Sequence, residues 1–90
     1  MQPFETGSLV KSKAGHDKDD IFVIIGQLGE YVWIADGKRR TVEKPKRKKK
    51  IHLYPICHPD GAAKQALGLP KNRPVRNEDI KYAIKVYRRS

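Results

Sequence analysis

Residues 21–35 read IFVIIGQLGEYVWIA and decide the class of the fold. The first five residues form an unbroken β-branched and aromatic run, which is too short for a typical helix and is typical of a central strand buried on both faces. Residues 26–30 (GQLGE) predict a break, and residues 31–35 (YVWIA) predict the next strand. The stretch therefore predicts two consecutive strands of a β-sheet.

Shorter strand signals flank this pair. Residues 8–12 alternate as a half-buried strand does, residues 40–42 are expected to return after a type I′ turn at Asp36-Gly37, and residues 51–54 predict a fifth strand. Five short strands, the first four joined by tight turns, predict a small closed or half-closed barrel without long unpaired edges. The core candidates are the apolar residues Val10, Val23, Ile25, Val32, Ile34, Val42 and Leu53.

The C-terminal part predicts a connector and one helix. Residues 55–76 hold four prolines and two glycines, a loop-rich composition that leaves room for a short helical turn around residues 62–67. Asn77 is a good N-cap for an amphipathic helix from about residue 78 to residue 89. We expect its apolar stripe to pack on the barrel rather than on a partner, because a lone helix of this length is marginal. The stripe consists of Ile80, Ala83, Ile84 and Tyr87.

Positive charge is concentrated in the second half of the chain. The formal net charge is +10, and residues 1–37 carry three basic and six acidic side chains (3 − 6 = −3), so the remainder carries +13. This distribution is the footprint of a polyanion binder, and nucleic acid is the leading candidate because no amphipathic or lipidated membrane anchor is evident. The predicted organisation is a barrel at 1–54 that includes a basic arm at 38–50, a connector at 55–76 and a terminal helix at 77–90.

The basic arm has nine basic residues in thirteen positions, with Glu43 as its one acid. Pro45 and repulsion between like charges predict that it is extended in the free protein. Lysines outnumber arginines, and an ammonium group is a point charge, so the arm should bind backbone phosphates rather than read bases. A merely solubilising or targeting role is the alternative.

Two aromatic residues alternate with apolar ones in the strand at 31–35. If Val32 and Ile34 face the core, Tyr31 and Trp33 face outward, where they either stack on unpaired bases or cover the core. The full set of predicted RNA contacts is Lys13, Tyr31, Trp33, Lys38, Arg39, Arg40, Lys44, Lys46, Arg47, Lys48, Lys49 and Lys50.

The sequence offers no signature of catalysis, metal binding or cofactor binding. It lacks a nucleophile elbow, a P-loop and a Gly-rich dinucleotide turn, so we expect no enzyme, no cofactor and no small-molecule substrate. The candidate metal ligands are not arranged as spaced pairs, and the acidic turn at residues 17–20 lacks the later ligands of a calcium loop. Those candidates are His16, His52, Cys57 and His58.

The N-terminus has no charged segment followed by an apolar stretch, and no window approaches the roughly 18 apolar residues of a membrane span. Cys57 is the single cysteine and cannot form an internal disulfide. We therefore expect a cytoplasmic protein that is a monomer when free and does not bind membranes.

Residues 7–37, GSLVKSKAGHDKDDIFVIIGQLGEYVWIADG, resemble the KOW motif, with Gly15 as its fixed glycine. The step from the ADG of residues 35–37 into the basic residues 44–50 is similar to the fourteen-e family of large-subunit ribosomal proteins and its small bacterial relatives. The ending RNEDIKYAI also resembles helical endings in the bacterial group. The resemblance spans roughly residues 6–53 and implies an SH3-like barrel that binds ribosomal or structured RNA without catalysis.

The chain departs from that pattern in its first loop, where many KOW sequences have a glycine and this chain has Asp19 followed by Asp20. The departure makes the loop acidic, so we assign no RNA contact to it. Two other functions fit the pattern: a transcription-associated KOW module like that of NusG-type elongation factors, and an SH3-like adaptor whose Tyr31 and Trp33 line a groove for a Pro-rich peptide. The sequence leaves open whether the protein is a permanent component of the ribosome, an assembly factor or a regulator.

Overall fold

The computed structural model describes residues 4–13, 15, 18–56, 65–66, 69–70 and 72–89. These residues form one five-stranded antiparallel sheet and one C-terminal helix, so the prediction of a mainly β fold with a terminal helix is confirmed. The elements are β1 (Leu9–Ser12), β2 (Ile21–Leu28), β3 (Tyr31–Ala35), β4 (Lys46–Lys49), a 3-10 turn (Lys50–His52), β5 (Leu53–Pro55) and α1 (Asn77–Arg89).

The sheet has the strand order β4-β3-β2-β1-β5 and is strongly curled. A flat sheet of five strands would hold its edge strands about 19 Å apart, whereas the four Cα steps from Lys49 to Leu53 span at most about 14 Å. The 3-10 turn between them is shorter still, so both edges must bend toward each other. Across the concave side, the Lys48 amine donates a hydrogen bond of 2.7 Å to Ser12 Oγ. No β-pairing joins β4 to β5 in the described part of the chain, so the sheet remains open along this seam.

Each face of the sheet carries its own apolar cluster. The concave cluster is built from six residues that are at most 1% exposed, and the convex cluster packs the sheet against α1. Because β2 contributes to both, residues 21–24 are all buried, which confirms the predicted strand with two buried faces. The concave set is Val10, Phe22, Ile24, Val32, Ile34 and Leu53; the convex set is Leu9, Ile21, Val23, Ala35, Ala66, Ile80 and Ala83.

The predicted core and the predicted helix stripe agree with these clusters. Five of the seven core candidates are buried, while Ile25 and Val42 are half-buried beside the convex cluster. Ile80 and Ala83 are buried against the sheet, and Ile84 and Tyr87 pack beside them, so the stripe covers the protein's own sheet.

The predicted fourth strand at residues 40–42 is wrong. The Asp36 carboxylate accepts hydrogen bonds from the backbone amides of Lys38 and Arg40, at 2.9 and 3.0 Å, and these bonds hold a wide loop. The type I′ turn is also wrong, because Gly37 has a φ of +82° but Asp36 does not have a positive φ. The Val42 amide then bonds to Asn77 Oδ1 rather than to β3.

The fourth strand lies instead within the basic arm, as β4, so this part of the arm is extended but paired with β3 rather than free in solvent. Pro45 immediately precedes the strand, where its missing N–H group removes no ladder bond. Alternation sends neighbouring cations to opposite faces of the sheet, which relieves the repulsion that the run of like charges predicted.

Other element bounds differ by a few residues. The predicted break at residues 26–30 is shorter, since β2 continues to Leu28 through an irregularity between Ile24 and Gly26. The predicted strand at 51–54 begins two residues later, after the 3-10 turn. The predicted helical turn around residues 62–67 falls mostly outside the described residues.

Asn77 does not have the predicted N-cap role, because it lies inside α1 and its side chain bonds to Val42 and Glu43. Asp79 supports the helix start instead. Its Oδ2 accepts a bond of 2.9 Å from the Arg76 amide, and the Arg73 guanidinium holds both of its oxygens, at 2.9 and 3.0 Å. These bonds lower the pKa of Asp79, the Arg73 pair foremost, and raise the pKa of Arg73.

Candidate nucleic-acid interface

The pairing of β4 with β3 divides the cations of the basic arm between two faces. Lys48 stands opposite the buried Val32, on the concave side, whereas Arg47 stands opposite Trp33 and Lys49 opposite Tyr31. Residues directly opposite each other in an antiparallel pair share a face. The arm that the sequence predicts as one continuous set of phosphate contacts is therefore two sets, and Lys46 and Lys48 are half-buried on the inner one.

The convex face of β3 and β4 carries two aromatic rings and two cations, which we call the stacking surface: Tyr31, Trp33, Arg47 and Lys49. The Arg47 guanidinium carbon lies 4.9 Å from the centre of the Tyr31 ring, and the Lys49 amine lies 5.7 Å from it. Both distances are within the range of cation–π attraction. The two cations therefore lie over the Tyr31 ring rather than extend freely into solvent.

The outward orientation of the aromatic residues is confirmed. Val32 and Ile34 are completely buried, and Tyr31 and Trp33, which alternate with them, are half-buried on the opposite face. The cross-strand neighbour of Trp33 in β2 is Gly26, which has no side chain to cover the indole from that strand. Helix α1 packs farther along the same face, in the cluster that includes Ala35.

The remaining arm cations lie in loops. Lys38, Arg39 and Arg40 are exposed in the loop at residues 36–40, and Lys44 is exposed in a turn closed by bonds to Thr41. The Lys50 amine lies 5.8 Å from the Phe4 ring.

Tyr54 is an aromatic candidate that the sequence prediction missed. It is 55% exposed on β5, and the amine of Lys13 lies 4.7 Å from the centre of its ring. The signal was present in the sequence, because Tyr54 alternates with the buried Leu53 in the way that Tyr31 alternates with Val32. Lys13, which was predicted to contact RNA, thus belongs to a second pairing of a cation with an aromatic ring.

Several exposed cations of the arm have no carboxylate partner among the described residues. The Lys49 amine lies 3.4 Å from Glu30 Oε1, while no carboxylate of a described residue lies within ion-pair distance of Lys38, Arg39 or Arg47. The one acid of the arm, Glu43, is held by the Asn77 amide at 3.0 Å, and this bond lowers the pKa of Glu43. Lys38, Arg39 and Arg47 are therefore exposed cations that remain available to an external anion.

No family model and no curated protein matches the chain. Within the described ranges, no group of three or more His, Cys, Asp or Glu side chains could hold a metal ion, and His16, Cys57 and His58 lie outside those ranges. Among the same residues, no helix has the length and apolar character needed to cross a membrane. The ligand is therefore inferred from the chemistry of the stacking surface and the basic loop.

Proposed function

We propose that this protein is a non-catalytic RNA-binding protein, and the stacking surface is the observation that carries the proposal. Aromatic rings on an open sheet face stack on unpaired bases, each stacked base contributing about 1–3 kcal/mol, while neighbouring cations bind the phosphates. Tyr31 and Trp33 supply the rings, and Arg47 and Lys49 supply the charges beside them.

Unpaired bases in loops and bulges of folded RNA are the ligand that fits this arrangement. Sequence-specific RNA recognition uses such splayed bases, because the deep major groove of an A-form helix does not admit side chains. A net charge of +10 adds an attraction to any RNA that is independent of sequence. The surface would therefore favour structured RNA with single-stranded loops over uninterrupted duplex.

We further propose that the curled sheet is an SH3-like barrel of the KOW type. The short turn between the edge strands and the Lys48 to Ser12 bond support this fold. The first loop supports it too: Gly15, the glycine of the motif, has a φ of +88°. Asp19 occupies the place where many KOW sequences have glycine, and its φ is +71°, in the region that favours glycine.

The resemblance to the fourteen-e ribosomal proteins makes ribosomal RNA the proposed partner and the cytoplasm the proposed location. A transcription-associated KOW module would use mainly protein contacts instead. An SH3-like adaptor is favoured by one specific observation: Leu28, which pairs with Tyr31 on the same face, is 71% exposed, and Ile51 is 68% exposed. Leu28 thereby extends the aromatic surface into an apolar patch of the kind that mediates protein contacts.

Sucrose-gradient fractionation of the tagged full-length chain, in low and high salt, tests the proposed partner. We expect the protein with ribosomal particles in low salt and released in high salt, and crosslinking followed by sequencing should enrich ribosomal RNA. Recovery in ribosome-free fractions alone, with no enriched RNA, would contradict the proposal.

A paired substitution separates the RNA-binding protein from the adaptor. Arg47→Gln with Lys49→Gln removes two charges and keeps both rings, so it should release the protein from ribosomal particles at lower salt. An adaptor would keep its partner in this variant, because its contacts would be made by Tyr31, Trp33 and the apolar residues near them.

A further inference from the structure

A second basic surface lies between the loop at residues 36–40 and α1, on parts of the chain that are distant in sequence. It is a groove of about 730 Å³. Two cations come from the loop and three from the helix, and we call this set the helix groove: Lys38, Arg39, Lys81, Lys85 and Arg88. Ile21 and Ile84 line its base.

The two walls of the groove are fixed against each other. Gly37 packs so closely on the helix that a Cβ at this position would lie 2.5 Å from the carbonyl oxygen of Asn77 and 2.9 Å from Lys81 Cγ. The Asn77 side chain also bonds to the Val42 amide at 2.9 Å and to Glu43 at 3.0 Å. Packing and hydrogen bonds therefore hold together the loop and the helix that carry the five cations.

The groove carries an excess of positive charge. Asp20 and Asp36 are its acidic members, so five cations and two carboxylates leave a balance of 5 − 2 = +3. Asp36 is already engaged by the backbone amides of its own loop. The dipole of α1 favours a cation at Arg88 in its last turn, but it gives no reason for Lys38 and Arg39 to come from another element. Gathering like charges costs free energy that an anion offsets.

The cations are arranged in a row rather than around a point. Lys81, Lys85 and Arg88 follow one another at i, i+4 and i+7, so they extend over about 10 Å of the helix. A row of this length matches a chain of successive phosphates better than a single phosphate group. Among the described residues that line the groove none is aromatic, so the groove offers no ring on which a base could stack.

We infer that the helix groove binds the sugar–phosphate backbone of the RNA whose bases stack on Tyr31 and Trp33; this inference rests on the proposed function. Lys38 follows Trp33 by five residues, so at most about 18 Å of extended chain separates their Cα atoms. One RNA strand can therefore reach both surfaces. The groove contributes salt-dependent affinity, and the stacking surface contributes the preference for unpaired bases.

Salt titration of RNA binding tests the inference. The probe is a fluorescein-labelled RNA hairpin with a uridine-rich loop, and anisotropy is measured over a range of KCl concentrations with the full chain. Lys81→Gln with Lys85→Gln should reduce the slope of log K against log salt by about 1.4 to 1.8, the value for two lost phosphate contacts. The charge-matched control is Lys18→Gln with Arg76→Gln, both exposed and outside the groove, which should change the slope by less than about 0.5.

The loop side of the groove gives a second variant, Lys38→Gln with Arg39→Gln, for which we expect the same loss of slope. Equal slopes for the groove variants and the control, with RNA still bound in a salt-dependent manner, would overturn the inference and leave the proposed function standing. If the unsubstituted protein failed to bind the hairpin in low salt, the proposed function itself would fall. Circular dichroism confirms that each variant is folded.

Discussion

The contact between Gly37 and α1 allows a quantitative prediction, because the chain offers a matched control. Gly37 has a φ of +82°, and an added Cβ would meet the Asn77 carbonyl oxygen at 2.5 Å. Gly29, in the turn between β2 and β3, has a φ of +60°, but nothing lies within 4 Å of the position that its Cβ would take. Gly37→Ala and Gly29→Ala therefore share the backbone cost and differ in the collision with the helix.

The size of the difference follows from these contacts. A side chain in the left-handed region costs about 1–2 kcal/mol, and both variants incur this cost. Gly37→Ala must also displace the start of α1 or the loop at 36–40, and overpacking of this kind costs about 1–3 kcal/mol. We expect losses in the free energy of unfolding of about 2–5 kcal/mol for Gly37→Ala and about 1–2 kcal/mol for Gly29→Ala.

Urea unfolding followed by circular dichroism measures both values under one set of conditions. NMR amide shifts in Gly37→Ala should change along the first turns of α1 and at Val42, while those in Gly29→Ala should change near the turn alone. Equal losses in the free energy of unfolding for the two variants would show that α1 does not lie against Gly37. They would refute the described docking of α1. The helix groove would then lose its structural basis as well.

Two further predictions test the stacking surface and the helix start. Trp33→Ala should weaken binding of hairpin RNA by about 5- to 150-fold in anisotropy measurements, the equivalent of one stacked base, while Trp33→Tyr should retain most of the affinity; equal affinity in both variants would contradict stacking. Arg73 and the Arg76 amide hold the pKa of Asp79 below its ordinary value of 3.8, so the carboxylate stabilises the fold above that pH and ceases to do so as the pH falls through the folded-state pKa. Urea unfolding from pH 5 to pH 2 should therefore show a shallower loss of stability for Asp79→Asn than for the unsubstituted chain, and parallel curves would argue against the pairing with Arg73.

Patterns with a short period were predictable from the sequence. Alternation placed Val32 and Ile34 inside and Tyr31 and Trp33 outside, and the helical spacing of Ile80 and Ala83 identified the face that packs on the sheet. In each case the burial of one side chain is determined by neighbours within a few residues. The same rule applied to β5 would have identified Tyr54.

The wrong predictions have long-range causes. The DG sequence at Asp36-Gly37 predicts a tight turn, but Gly37 is packed against α1 and the Val42 amide is bound by Asn77, 35 residues away. The composition of the basic arm predicts a solvated segment, yet pairing with β3 makes residues 46–49 a strand with one face turned inward. The helix groove could not be predicted from the sequence either, because it joins a loop to a helix and no local pattern specifies where that helix docks.

Salt titration of hairpin binding, with and without Arg47 and Lys49, tests most directly whether the stacking surface is a site for RNA. If six cations neutralise phosphates, log K for the unsubstituted chain should fall with log salt at a slope of about −4 to −5. Arg47→Gln with Lys49→Gln should make this slope shallower by about 1.4 to 1.8. An affinity that is undetectable in low salt, or a slope that the double substitution leaves unchanged, would contradict RNA binding at the stacking surface.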